Sequence, residues 1–493
     1  MADLSDETNT YTRKPLLRQL LISTGPWNCY FMFGLCVGSP TVMIPQIRKD
    51  INSTIVINED MASWIPAIHS YSALPWVFIL PSLIRISGRK KSYILVCIFA
   101  CIGFLTHYCS KTIIHVIISE VLKGVLTASH FTVSVVIVTE YTSPRYRGVF
   151  LTLKSASFFW GILVANAIGT FFHWRNIAVL GIICSAYNLF TVVVWPESPL
   201  WLADKGRCHD CISAHRWLKG SDLISEKELK RLTSLCSEIK QDKGKINVKK
   251  NFLDFFKMLN DREFYKPVLF TILLIGLYIF SGKLICTVYS LEILKRITNN
   301  EIVAYKGMLI LDTVTVLSVY VGCFITKLFK RRSVLLATSS VAVMFLFSIS
   351  LYLYLIKLKF ILDSVYISIT LLTGFTMAIS SGPMILSLAI SGELISLRFR
   401  SFSLCVTVLI FKSLNGTVMK FSPFTFRYFG LHGVFFIYGS FSLTFLFLLY
   451  LYLPETKDRS LQEIADSMNE KKRNVAEETK MITNVLNDEK IIT

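Results

Sequence analysis

Ionisable residues stranded in apolar sequence are where this chain can do chemistry. Lys283 stands in "FSGKLICTVYS", Asp312 in "GMLILDTVTVL" and Lys412 in "VLIFKSLNG". A charge at bilayer depth costs about 2.5–3.5 kcal/mol on insertion scales, so it normally faces a cavity or a partner. Asp312 and Thr315 lie one turn apart on one helix face, and Lys283 is one turn from Ile279. Two arrangements are open. Either Asp312 pairs with a lysine and serves packing, or Lys283 or Lys412 meets an anionic or strongly polar solute. His69 and His130 also fall in apolar runs, where a packed, hydrogen-bonded imidazole is the ordinary outcome. A second set of charges is doubled. Glu140 and Arg147 in "EYTSPRYRG" return 253 residues later as Glu393 and Arg400 in "ELISLRFRS". "VVVWPESPLWL", with Glu197, and "LYLYLPETKDRSLQEI", with Glu455, each end an apolar run on a proline and a glutamate.

The elements that position these residues follow from composition. Of 493 residues, 53% are hydrophobic and 17% charged, and the mean hydropathy is +0.53. A soluble protein of this size needs more polar residues to cover its surface. Apolar runs of bilayer-spanning length recur and predict an all-α membrane protein with about twelve transmembrane helices. Six lie near 24–46, 62–84, 93–109, 113–139, 149–172 and 176–195. Six more lie near 266–289, 302–326, 333–356, 362–391, 402–421 and 430–453. Five segments result: a polar N-terminus at 1–23, a bundle at 24–202, a linker with short amphipathic helices at 203–265, a bundle at 266–453 and a charged tail at 454–493.

Arg85, Arg89, Lys90, Lys91, Arg145, Arg147, Lys330, Arg331 and Arg332 share one side with the basic linker, and the other side carries the sequon Asn52-Ser53-Thr54. Basic loops stay inside, which places both termini and the linker in the cytoplasm and a glycan on Asn52, a topology suited to the plasma membrane. The net charge of +19 is spread between spans rather than gathered in an aromatic-laced patch, which excludes nucleic acid. Residues 1–23 have no cleavable signal pattern, and Ala2 replaces the glycine that myristoylation requires. Cysteines inside apolar runs read as packing residues. "CHDCISAH" (Cys208, His209, Cys211, His215) has metal-ligand residue types but no second pair, and reads as a helix surface. No nucleophile–base set, phosphate loop or HExxH points to an enzyme, and no cofactor or obligate protein partner is implied. The partners are the bilayer and a small-molecule substrate.

The doubled words make two pseudo-symmetric six-helix bundles around a midplane site, the usual build of a secondary transporter. "PESPLWL" with the following "KGR", "PETKDRSLQEI", "GTFFHWR", "GLHG", "FSG" and Tyr289 resemble the sugar porter family of the major facilitator superfamily, and Ser39-Pro40 is similar to insect facilitated trehalose transporters. The resemblance implies the major facilitator fold and alternating-access facilitated diffusion of a hexose or trehalose. It implies gating ion pairs between the bundles from Glu140, Arg147, Glu197, Glu393, Arg400 and Glu455, with Arg89, Arg331 and Arg332 as cationic partners. It places the substrate cavity at Ser155, Tyr278, Ile279, Leu284, Tyr289, Thr315, Leu386, Phe411 and Lys412, to which the charges in apolar sequence add Lys283 and Asp312. Many of these stand where the family has sugar-reading amides and indoles, and Glu120 stands where it has arginine. The first span, 24–46, has no carboxylate for proton coupling, which favours uniport. Two other readings use the same fold: an organic-anion transporter built on Lys283 and Lys412, and a non-transporting sensor.

Overall fold

With no water to take up backbone N–H and C=O groups, a lipid-embedded chain must satisfy them within each segment, and this chain does so as helix. The computed structural model describes residues 3–50, 55–241, 262–394 and 400–455, among which there is no strand. The predicted glycan site Asn52, linker residues 242–261 and the tail from 456 lie outside the described residues, as do the side chains of Glu393 and Arg400.

The first half is built from α1 (Asp3–Lys49), α2 (Glu59–Tyr71), α3 (Ala73–Ser87), α4 (Arg89–Tyr108), α5 (Ile113–Phe131), α6 (Val133–Tyr141), α7 (Pro144–Phe171) and α8 (Arg175–Val194). The second half is built from α12 (Arg262–Phe280), α13 (Lys283–Val288), α14 (Ser290–Thr298), α15 (Glu301–Leu328), α16 (Arg331–Lys357), α17 (Val365–Ser381), α18 (Pro383–Leu394) and α19 (Arg400–Tyr452). Eleven helical stretches are long and apolar enough to span a bilayer, and the last of them, Ser403–Tyr452, crosses twice. Its break is Gly430, at φ 66° and ψ 173°, a left-handed region that favours glycine. Twelve crossings result among the described residues, as length and hydropathy predict.

Several spans are interrupted at mid-depth. α5 gives way to α6 at Thr132, and α12 to α13 at Gly282 (φ 77°). α17 stops at Gly382 because Pro383 can neither donate to the helix ladder nor fit against the preceding turn. Irregular backbone at this depth is tolerated where it is buried in protein or lines a cavity. Helix pairing relies on small residues that let backbones approach, since lipid removes the hydrophobic drive between helices. α1 packs on α7 at Gly34 and Gly161, where an added Cβ would come 2.1 Å from the Phe158 carbonyl and 2.2 Å from that of Phe31. Large apolar side chains such as Phe190, Val193, Phe324 and Phe447 face outward, toward lipid.

Between the halves lie α9 (Pro199–Asp204), α10 (Cys208–Lys219) and α11 (Leu223–Gln241). The Ser198 hydroxyl accepts from Trp201 N, and Pro199 opens α9. Gln19 of α1 clamps this layer: its amide donates to Leu218 O (3.2 Å) and Ser143 Oγ (3.0 Å) and accepts from Ser143 N (2.9 Å). Helix α1 therefore begins well before the apolar run that betrays it in sequence. One reading is corrected here. Cys208 is disulfide-bonded to Cys236, joining α10 to α11. Cys211 is buried beside them, while His209 is exposed and His215 turns to Glu228, so the four "CHDCISAH" residues do not converge on a metal. The His215 imidazole at 3.8 Å and the Lys219 ammonium at 2.6 Å hold the Glu228 carboxyl down to about 2.

Candidate functional site

The mid-depth breaks frame a cavity of about 420 Å³ between the two halves, a size typical of small-molecule sites. The end of α5 supplies His130 and Phe131, the α12–α13 break Tyr278 and Leu284, and the start of α18 Met384 and Ile385. Toward the end that carries α9–α11, the linker end, the cavity reaches Thr152, Ser391 and Gly392. At the opposite or far end it stops at Pro40 and Val288, where Thr41 Oγ1 donates to the Val288 carbonyl (2.8 Å) across the two halves. A second cavity of about 680 Å³ begins beyond the same Pro40 and Val288 and is lined by Arg48, Lys49, Glu59, Glu292, Lys295 and Arg427. A thin septum thus separates two cavities on one axis.

Of the residues that the resemblance assigned to the site, Ser155, Tyr278, Leu284, Phe411 and Lys412 line the inner cavity. Ile279 and Leu386 are packed in apolar clusters. Lys283 donates to Thr315 Oγ1 (2.8 Å), and Asp312 accepts from Asn166 Nδ2 across the halves (2.6 Å) rather than pairing with a lysine. These three lie outside the cavity wall, as does Tyr289, whose hydroxyl donates to Met419 O (3.0 Å) on the far side. Sequence reasoning missed Lys154, Asn415 and Thr407 as wall residues. Lys154 carried a usable signal, since "VFLTLKSASFFWG" is another lone lysine in an apolar run. Asn415 Nδ2 donates to Ser70 Oγ (2.9 Å), while Asn415 Oδ1, Thr407 Oγ1 and His130 Nδ1 are buried without a hydrogen-bond partner.

Beside the cavity, inside the first half, lies a wholly buried charge cluster. Glu120 Oε1 takes Lys123 Nζ at 2.7 Å, His69 Nδ1 lies 3.5 Å from Glu120 Oε2, and Lys123 Nζ is 3.4 Å from His107 Nδ1. His69 also lines the cavity and hydrogen-bonds Thr127 Oγ1 through Nε2 (2.6 Å). Glu120 is thus the anion of a local network.

The repeated sequence words have a common structural use at the linker end. Glu197 Oε1 accepts from the N–H groups of Arg89 (2.8 Å) and Lys90 (3.2 Å), capping the start of α4. Glu455 Oε2 accepts from Arg332 N (3.2 Å) at the start of α16, which Arg331 opens. Each carboxylate satisfies free N–H groups and meets the positive pole of the helix. Arg89 binds Glu140 at 2.6 and 2.8 Å, Arg332 reaches Tyr450 O at 2.6 Å, and Arg147 is half-buried in the first turn of α7. These bonds run within a half, not between halves. Three ion pairs join the halves at the far end: Lys49 with Glu301, Lys420 with Asp60, and Arg427 with Glu59 (3.3 Å). Exposed pairs contribute about 0–1 kcal/mol each. Changing Glu59, Asp60 and Glu301 together to alanine is expected to raise the share of far-end-open molecules roughly tenfold, about 1.4 kcal/mol, read from spin-label distances across that end. An unchanged distance distribution would rule out the latch.

Known proteins place this geometry. Residues 30–467 match the model of the family described as "Sugar (and other) transporter". The chain is 23% identical over 447 residues to the facilitated trehalose transporter Tret1 of Apis mellifera ligustica, covering 90% of this chain and 87% of that one. It is 22% identical to the transporter of the same description from Bombyx mori, over 95% and 90% of the two chains. Among solved structures, the inward-open xylose transporter XylE from E. coli aligns at TM-score 0.70 and 14% identity over 91% of this chain and 99% of that one, a likeness of fold. Matched over most of its length by a family of carriers rather than enzymes, this multi-pass chain belongs to the sugar (and other) transporter family.

Proposed function

We propose that the protein carries a small sugar across the membrane by facilitated diffusion, its two halves alternately opening the midplane cavity to either side. The observation that carries this reading is the septum: two cavities on one axis, parted where Thr41 meets the Val288 carbonyl. Pairs between the halves hold the far end, and the inner cavity reaches Thr152, Ser391 and Gly392 toward the linker end, which supports a form open toward the linker. The linker end faces the cytoplasm and the membrane is the plasma membrane in this reading, which places the basic loops inside. Asn415, Thr407, His130 and Ser155 are the hydroxyl-reading groups, because each brings a neutral donor or acceptor to a largely apolar wall. Relatives described as facilitated trehalose transporters, and a first span without a carboxylate, favour uniport.

In proteoliposomes, radiolabelled glucose or trehalose is expected to equilibrate to the outside concentration, with no change on imposing a pH gradient. Accumulation above that level driven by the gradient would overturn uniport. Absence of flux for every sugar would overturn the substrate class.

A further inference from the structure

Among the described residues, three buried cations have no ion pair, Lys154, Lys283 and Lys412, and two of them, Lys154 and Lys412, line the same cavity. Lys123 and Lys219 lie 2.7 and 2.6 Å from Glu120 and Glu228, Arg89 is bound to Glu140, and Lys283 donates to Thr315. Lys154 and Lys412, each only 2% exposed, have no ion pair, and no aspartate or glutamate lines the cavity among the described residues. Lys412 Nζ is held among the rings of Phe33, Phe131 and Phe411 at 4.9–5.3 Å from their centroids. Lys154 Nζ stands 4.0 Å over the Tyr30 ring and 3.4 Å from the His130 carbonyl. Ring faces favour the ammonium over the neutral amine, yet they supply no counter-charge.

The two cations are coupled by one aromatic layer. Tyr30 stacks on His130 at 4.1 Å, and His130 meets Phe33 at 5.4 Å and Phe131 at 4.2 Å, the rings that hold Lys412. Burying two charges without anions is costly, and an incoming anion is the one partner that the cavity leaves room for. The unpartnered Asn415 Oδ1 and Thr407 Oγ1 lie in the same wall, ready for hydroxyls.

We infer that the preferred substrate is an acidic sugar, a small polyol whose single anionic group is held by Lys154 and Lys412 while its hydroxyls meet Asn415 and Thr407. This rests on the sugar-carrier reading and narrows it. It also relocates the cationic site from Lys283 to Lys154, because Lys283 is engaged with Thr315 outside the wall.

The test uses the purified full-length protein with D-glucuronate, D-glucose 6-phosphate and D-glucose as probes, in thermal-shift titration and in proteoliposome uptake. Glucuronate or the phosphate ester is expected to stabilise the protein at concentrations at least about tenfold below those needed for glucose, the difference that one charge-assisted bond supplies. Which of the two does so separates a carboxylate from a phosphate ester. Lys412→Gln and Lys154→Gln are each expected to lower the acidic-sugar affinity about tenfold or more with little change for glucose. Lys412→Arg and Lys154→Arg keep the charge and are expected to keep most of the preference. Where a glutamine variant fails to fold, competition on the unaltered protein decides the matter alone. If glucose or trehalose crosses while neither anion binds, competes or crosses, the inference is overturned and the sugar-carrier reading stands. If no sugar of either kind binds or crosses, both are overturned.

Discussion

Glu120→Ala is expected to cost about 3–5 kcal/mol of stability, the effect of stranding a buried ammonium by removing its carboxylate. Lys123 Nζ would then face the His107 ring nitrogen at 3.4 Å with no anion within reach, in the interior of the first half. Lys123→Met alone strands the Glu120 carboxylate instead, with His69 at 3.5 Å and His107 at 3.8 Å as its remaining neighbours. The two changes together, Glu120→Gln with Lys123→Met, remove both charges at nearly constant volume and are expected to cost far less than the sum, since a buried pair replaced by matched neutral groups is often close to neutral. Thermal unfolding in detergent of the unaltered protein, Glu120→Gln, Lys123→Met and the double variant closes the cycle and gives the coupling directly. Additive losses would show that Glu120 and Lys123 do not act as a pair. Because His69 joins this cluster to the cavity wall, the single variants are also expected to weaken substrate affinity.

Gly161→Leu is the second large expectation, and it acts through shape. A Cβ at Gly161 already meets the Phe31 carbonyl at 2.2 Å and the Gly34 Cα at 2.9 Å, both on the backbone of α1, which has no side-chain freedom with which to yield. The helices must separate, at about 3 kcal/mol or more, toward the upper end of overpacking penalties. α7 also carries Lys154 and Ser155 into the cavity, so transport should fall with stability. Gly148→Ala on the same helix is the control. Nothing lies within 4 Å of its Cβ, and alanine is the better helix former by about 1 kcal/mol, so its folding yield should hold or rise. Equal losses from both substitutions, measured as monodisperse yield and uptake, would sink the close-approach account.

How much of this was legible in the sequence depended on the physical range of each signal. Span length and hydropathy are local sums, so the twelve crossings were readable, including the two that share α19. The doubling of Glu197 and Glu455 was readable as well, but their task of capping α4 and α16 was not, because a cap is a contact across more than 100 residues. Asp312 could be flagged as a costly charge, but not assigned to Asn166, which hydropathy gives no reason to single out. Lys154 met the same criterion that drew attention to Lys412 and was passed over because the resemblance pointed to its neighbour Ser155. The Cys208–Cys236 link hid for a different reason: pattern ties Cys208 to Cys211, one turn along α10, whereas its bonding partner is on α11.

The septum at Pro40 and Val288 also gives the molecule a handedness toward blockers. A sugar derivative with a bulky group, small enough at its head to enter past Thr152 and Gly392 yet too wide to clear the Thr41–Val288 bridge, would lodge as a cork from one face of the membrane and find no seat from the other. Vesicles of opposite orientation would then differ in their sensitivity to the same compound, although both transport the same sugar.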